Sequence, residues 1–168
     1  MLGFLFRGLT AEGPTGAALF EAISGEARRP HWYVDGAIPD TLDGRFAMLT
    51  TIMALVVVRL ERDGEAGDRL SVALTERFIA VMESEHRELG LGDPTLGRTV
   101  RKLVGMLANR TELWRSANDG NWAAATSESL YKDDVGEDTL AHSSRALKRF
   151  RERLGTTSLE QLEQGKFA

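Results

Sequence analysis

Between Arg45 and Arg59 the chain carries no charge: Phe46 to Val58 reads FAMLTTIMALVVV. This stretch constrains the fold more than any other. Pro39 breaks what precedes it, and Asp40 or Thr41 can cap the first free backbone N–H groups of a helix. Leu42, Phe46, Leu49, Met53, Val56 and Leu60 then recur in steps of three and four, which puts them on one helical face. The opposite face, with Met48, Ile52, Leu55 and Val57, is barely more polar. A helix that is apolar nearly all round must be covered on most sides. The uncharged part spans roughly 20 Å of helix, against about 30 Å for the hydrocarbon core of a bilayer. The expectation is therefore a buried central helix, with a helix partly open to a partner as the alternative, and not a membrane span.

A chain of 168 residues is long enough to bury a substantial core, and 42% hydrophobic with 27% charged is an ordinary globular balance. The net charge of −4 argues against a nucleic-acid partner, because that affinity rests on neutralising phosphates. Without cysteine there are no disulfides and no thiolate metal sites. The opening MLGFLFRG lacks a basic segment before its apolar run and does not read as a signal peptide. It is either a first turn of helix against the core or a shallow foot at a membrane surface.

Pro14 suits the first position of a helix carrying Leu19, Phe20 and Ile23, which Gly25 ends or weakens. The stretch ARRPHWYVDGAIPD reads as irregular, with two prolines and a glycine. Its Trp32 and Tyr33, beside Arg28 and Arg29, either staple the loop to the core or present a recognition patch. RDGEAGD reads as a polar turn, followed by a helix from about Arg69 to Leu89 with Leu70, Leu74, Phe78, Val81 or Met82, and Leu89 inward. Gly90 and Gly92 suit helix closure, and Asp93 with Pro94 suits the start of the next helix, marked by Leu96, Val100, Leu103 and Leu107. Beyond Asn109 the pattern weakens to a short helix at Leu113, Trp114 and Ala117. The turn NDGN precedes a helix from Trp122 to Tyr131. A further helix runs from about Thr139 to Leu154, with Leu140, Leu147, Phe150 and Leu154 on one face and basic residues on the other. Thr157 to Glu160 reads as a capping box before Leu162. No segment alternates with a period of two, so the fold class is all-α: a single-domain multi-helix bundle over residues 1–168 around the central helix.

Nothing selects a catalytic group. Glu83-x-x-His86 matches half of a di-iron helix motif, but no second copy exists, and His142 is preceded by Thr139 at that spacing. Phosphate-loop, nucleophile-elbow and dinucleotide patterns are absent from the sequence. The reading is a non-enzyme without metal or cofactor.

The blocks Arg29-Pro30-x-x-Tyr33, Ile38-Pro39-Asp40-Thr41-x-x-Gly44-Arg45-Phe46, Arg59-Leu60 and Arg87-Glu88-Leu89-Gly90-x-Gly92-Asp93 resemble the ubiquinol–cytochrome c chaperone family in order and spacing. The best-matched part is residues 28–110. The family often has a histidine where this chain has Ile52 and a second arginine near Val58, so this central helix is the more apolar.

The resemblance implies an all-α assembly factor for respiratory complex III that binds newly made cytochrome b apoprotein. It further implies a cytoplasmic location or a peripheral one on the inner membrane, with a small second assembly factor as a further candidate partner. Arg29, Trp32, Tyr33, Arg45, Phe46 and Arg87 are the expected client contacts, in a groove framed by the Trp32/Tyr33 loop and the Gly90–Asp93 corner. Pro39, Asp40, Gly44, Gly90, Gly92 and Asp93 are expected to shape the fold. The alternative is a carrier of a hydrophobic small molecule, quinone or haem, in an apolar helical pocket.

Overall fold

The computed structural model describes residues 15–90 and 92–168, so the expectations for the opening segment and Pro14 fall outside it. The described residues form eight α-helices and no strand. They are α1 (Ala17–Ala27), α2 (Pro30–Val34), α3 (Leu42–Leu60), α4 (Gly64–Glu88), α5 (Asp93–Arg115), α6 (Trp122–Leu130), α7 (Glu137–Thr156) and α8 (Leu159–Glu163).

The charge-free stretch is the middle of α3, and α3 touches α1, α4, α5, α6 and α7. Met48, Ile52, Met53, Ala54 and Val56 are fully covered. They come from both faces, as expected of a helix that is apolar nearly all round. Phe46 and Leu49 are half-buried and Leu42 is 68% exposed, because the first turn of α3 stands clear of the surrounding helices. Thr41 supplies the cap: its hydroxyl oxygen accepts from the Gly44 N–H at 3.2 Å. Among the described residues no helix is long and apolar enough to cross a membrane.

Several boundaries differ from those expected. Gly25 lies inside α1 without ending it, since helix packing overrides a modest propensity cost. Pro30, at a first helical position, starts a one-turn helix inside the stretch read as irregular. The polar turn after α3 shrinks to a single 3₁₀ turn at Glu61–Asp63, and α4 begins at Gly64. Gly67 makes that corner possible, because a Cβ there would lie 2.0 Å from the Leu60 carbonyl oxygen. Along α4, Leu70, Leu74, Phe78 and Met82 are buried as spaced, whereas Leu89 just past its end is 68% exposed. Helix α5 starts at Asp93, one residue earlier than expected, so that Gly92 holds the cap position, and it continues unbroken through Trp114, carried by the burial of Leu107, Thr111 and Trp114. The capping box at α8 is made by Ser158 and Gln161, one residue later than read, while the Thr157 hydroxyl donates to the Arg153 carbonyl at 2.8 Å.

Inside the bundle a polar chain crosses three helices. The Trp114 indole N–H donates to Ser129 Oγ at 3.0 Å, Ser129 lies 2.9 Å from Thr51 Oγ1, and Thr51 donates to the Ala47 carbonyl at 2.7 Å. Because an indole only donates and a carbonyl only accepts, Ser129 must donate to Thr51, which fixes the direction of the whole chain.

Candidate functional site

Two of the last carbonyls of α1 accept from the aromatics of α2, that of Glu26 also taking the Arg29 N–H at 3.2 Å. The Trp32 indole N–H donates to the Glu26 carbonyl at 2.9 Å, and the Tyr33 hydroxyl donates to the Ala27 carbonyl at 2.8 Å. Trp32 is 1% exposed and belongs to the core. Its expected place among the client contacts is therefore corrected: it staples α2 down, because its N–H finds its partner only inside. Tyr33 is half-buried, and burial pushes its phenol pKa up, with the Arg45 guanidinium pulling the other way.

The connection from α2 to α3 is held from behind. The Tyr131 hydroxyl donates to the Gly36 carbonyl at 2.6 Å and lies 2.7 Å from Ser143 Oγ. A Cβ on Gly36 would meet the Trp32 carbonyl oxygen at 2.5 Å. Ala37 follows with φ 46°, a left-handed conformation that costs a non-glycine residue about 1 kcal/mol. The strain is held by the Ile38 N–H, which donates to the Trp32 carbonyl at 3.1 Å, and by burial of the Ile38 side chain. Gly44 faces the Pro39 carbonyl so closely that a Cβ would lie 1.9 Å from its oxygen. Pro39 and Gly44 thus shape this corner.

The helix ends that flank the connection expose both apolar and charged groups. Val34 is 75% and Leu42 68% exposed. Arg45, three residues after Leu42 and hence its neighbour on the helix surface, pairs with Asp40 at 2.6 Å. That pair is solvent-exposed, so its direct contribution to stability is small. The Phe46 ring leans on Phe78 with centroids 6.2 Å apart. Arg87 and Leu89 are exposed at the end of α4, where Gly90 adopts φ 83°. Gly92 is extended and precedes α5.

Arg29 points elsewhere. It joins a cleft of about 510 Å³ between the α1–α2 corner and α7, lined by Glu26, His31, Trp32, His142, Ala146, Arg149, Phe150 and Arg153. The recess beside the arginine–aromatic segment thus opens toward α7 and not toward the α4–α5 corner. Glu26 is nearly buried and receives Arg29 at 3.3 Å and Arg153 at 3.0 Å. His31 Nδ1 lies 3.2 Å from His142 Nε2. Sequence reasoning did not find this cleft, whose two histidines are 111 residues apart in a shared hydrogen bond. The only sequence signal was the basic face of α7, which reads equally well as a solvated surface.

A family model described as Ubiquinol-cytochrome C chaperone matches residues 35–168. A solved structure, the crystal structure of the Cbp3 homolog from Brucella abortus, is similar with a TM-score of 0.73 at 25% sequence identity, covering 90% of this chain and 87% of that one. No match is found among curated proteins.

Proposed function

The chain belongs to the ubiquinol–cytochrome C chaperone family, and from that membership we propose that it holds newly made cytochrome b during assembly of ubiquinol–cytochrome c reductase. The role is that of a binding protein, not an enzyme. The observation that carries the client surface is that the two helix ends flanking the α2–α3 connection expose Val34 and Leu42, with the half-buried Tyr33 next to the first and Arg45 one turn after the second. A segment destined for a bilayer prefers such apolar surface to water, and the arginine rim limits which segment docks. Covering some 400 Å² of apolar client surface contributes roughly 10 kcal/mol before ordering costs, enough for a hold that can be released. Arg45, Tyr33 and Phe46 are the contacts we assign, with Arg87 and Leu89 extending the surface along α4. A membrane-bound client puts the working position of the chaperone at the inner-membrane surface.

The test is co-purification of cytochrome b with the tagged protein from solubilised membranes. The double variant Val34→Ser/Leu42→Ser should lose the client while keeping its melting temperature, because both side chains are mostly in water already. Wild-type protein that enriches cytochrome b no better than control membranes would overturn the reading.

A further inference from the structure

The cleft between the α1–α2 corner and α7 is not used by the client surface, and its chemistry is distinct. Three guanidiniums, from Arg29, Arg149 and Arg153, line it with one carboxylate, Glu26. Arg149 and Arg153 are four residues apart on α7, a like-charge spacing that weakens a helix. Glu26 draws Arg29 and Arg153 inward from opposite walls, and the Phe150 ring, 5.3 Å beneath the Arg153 guanidinium carbon, holds that group from below. Guanidinium forks so placed keep N–H groups that Glu26 does not consume. His31 and His142 close one side, each able to turn a ring nitrogen to an incoming acceptor when the other holds the shared proton.

We propose that this cleft binds a phosphate-bearing group, gripped by Arg29, Arg149 and Arg153 with the histidine pair as its fourth wall. A tetrahedral dianion presents several oxygens at once, which suits forks converging from two walls better than a planar carboxylate does. The volume of about 510 Å³ is that of an ordinary small-ligand site. The same arginines disfavour a cation between the two imidazoles. The phosphate has two sources with one chemistry, a soluble phosphate compound or the headgroup of an anionic phospholipid.

Calorimetric titration of the full chain with inorganic pyrophosphate, and co-sedimentation with phosphatidylcholine vesicles with and without phosphatidic acid, separate the sources. Binding of pyrophosphate alone assigns a soluble ligand. Sedimentation that needs phosphatidic acid and is competed by pyrophosphate assigns the headgroup. In either case Arg149→Gln, whose side chain is exposed and peripheral to the core, should weaken binding about tenfold, the loss of one charge-assisted contact. Arg149→Glu should abolish it. The imidazole NMR signals of His31 and His142 should move on titration, which a diffuse surface effect would not cause. Binding of neither probe, or binding unchanged in both Arg149 variants, overturns the proposal.

Discussion

His31 Nδ1 and His142 Nε2 lie 3.2 Å apart, close enough that a single proton serves both rings. One ring donates and the other accepts, and a second proton in the gap would set two N–H groups face to face with no acceptor between them. Burial, then the Arg29 guanidinium, then His142 hold the His31 pKa below its ordinary 6.5, while Glu26 and Asp35 pull it up by less. The fold therefore favours the neutral ring. Its stabilising contribution is complete above pH 6.5, the unfolded value, and is lost as pH falls through the lower folded value. Melting temperature should drop as pH is lowered from 6.5, and His31→Asn, which keeps a hydrogen bond toward His142, should flatten that slope. An unchanged slope would remove His31 from the account.

Two glycines inside helices should respond oppositely to the same substitution. Gly67→Ala drives a methyl into the Leu60 carbonyl and should destabilise by about 2 kcal/mol. Gly105→Ala, in the exposed interior of α5 with nothing near its added carbon, should stabilise by up to about 1 kcal/mol. Chemical denaturation of the two variants measures both signs.

Ser129→Ala should cost about 2 kcal/mol, because the buried Trp114 N–H loses its only acceptor in the chain that ends at Ala47. The readout is a lower denaturation midpoint with an unchanged slope. Thr51→Val should cost less, since the Ser129 hydroxyl can turn to a backbone carbonyl within its own helix.

Arg59 ties the end of α3 to the end of α7. Its Nε donates to the Leu154 carbonyl at 2.9 Å, its Nη2 to the Thr157 carbonyl at 2.7 Å, and its Nη1 to Asp63 at 2.5 Å. The side chain is 11% exposed. Arg59→Ala should destabilise by about 3 kcal/mol, and Arg59→Lys by nearly as much, because an ammonium cannot serve three diverging acceptors from that position. A lysine variant with wild-type stability would contradict this.

Much of the helical plan was legible because it rests on short-range periodicity. Leu70, Leu74, Phe78 and Met82 on α4, and Leu147, Phe150 and Leu154 on α7, are buried where their spacing puts them. The errors fall where distant atoms decide. RDGEAGD reads as a turn until the Leu60 carbonyl presses against Gly67 and lets helix begin at Gly64. Trp32 reads equally as a staple to the core or a recognition patch until the end of α1 supplies an acceptor for its indole. The cleft was invisible for the same reason: Glu26, His31, His142 and Arg153 form no motif, and only the packing of α7 against the α1–α2 corner brings them together.

The cover over α3 comes mostly from α4, α5, α6 and α7, all of which follow it in the chain. During synthesis at about 5 to 20 residues per second, the greasy rod waits some 5 to 20 seconds for its last wall to leave the ribosome. Until then the charge-free stretch from Phe46 to Val58, too short to cross a bilayer, lacks the helices that bury it in the finished fold. The order of the helices thus makes burial of α3 a late event, completed only when α7 has been made.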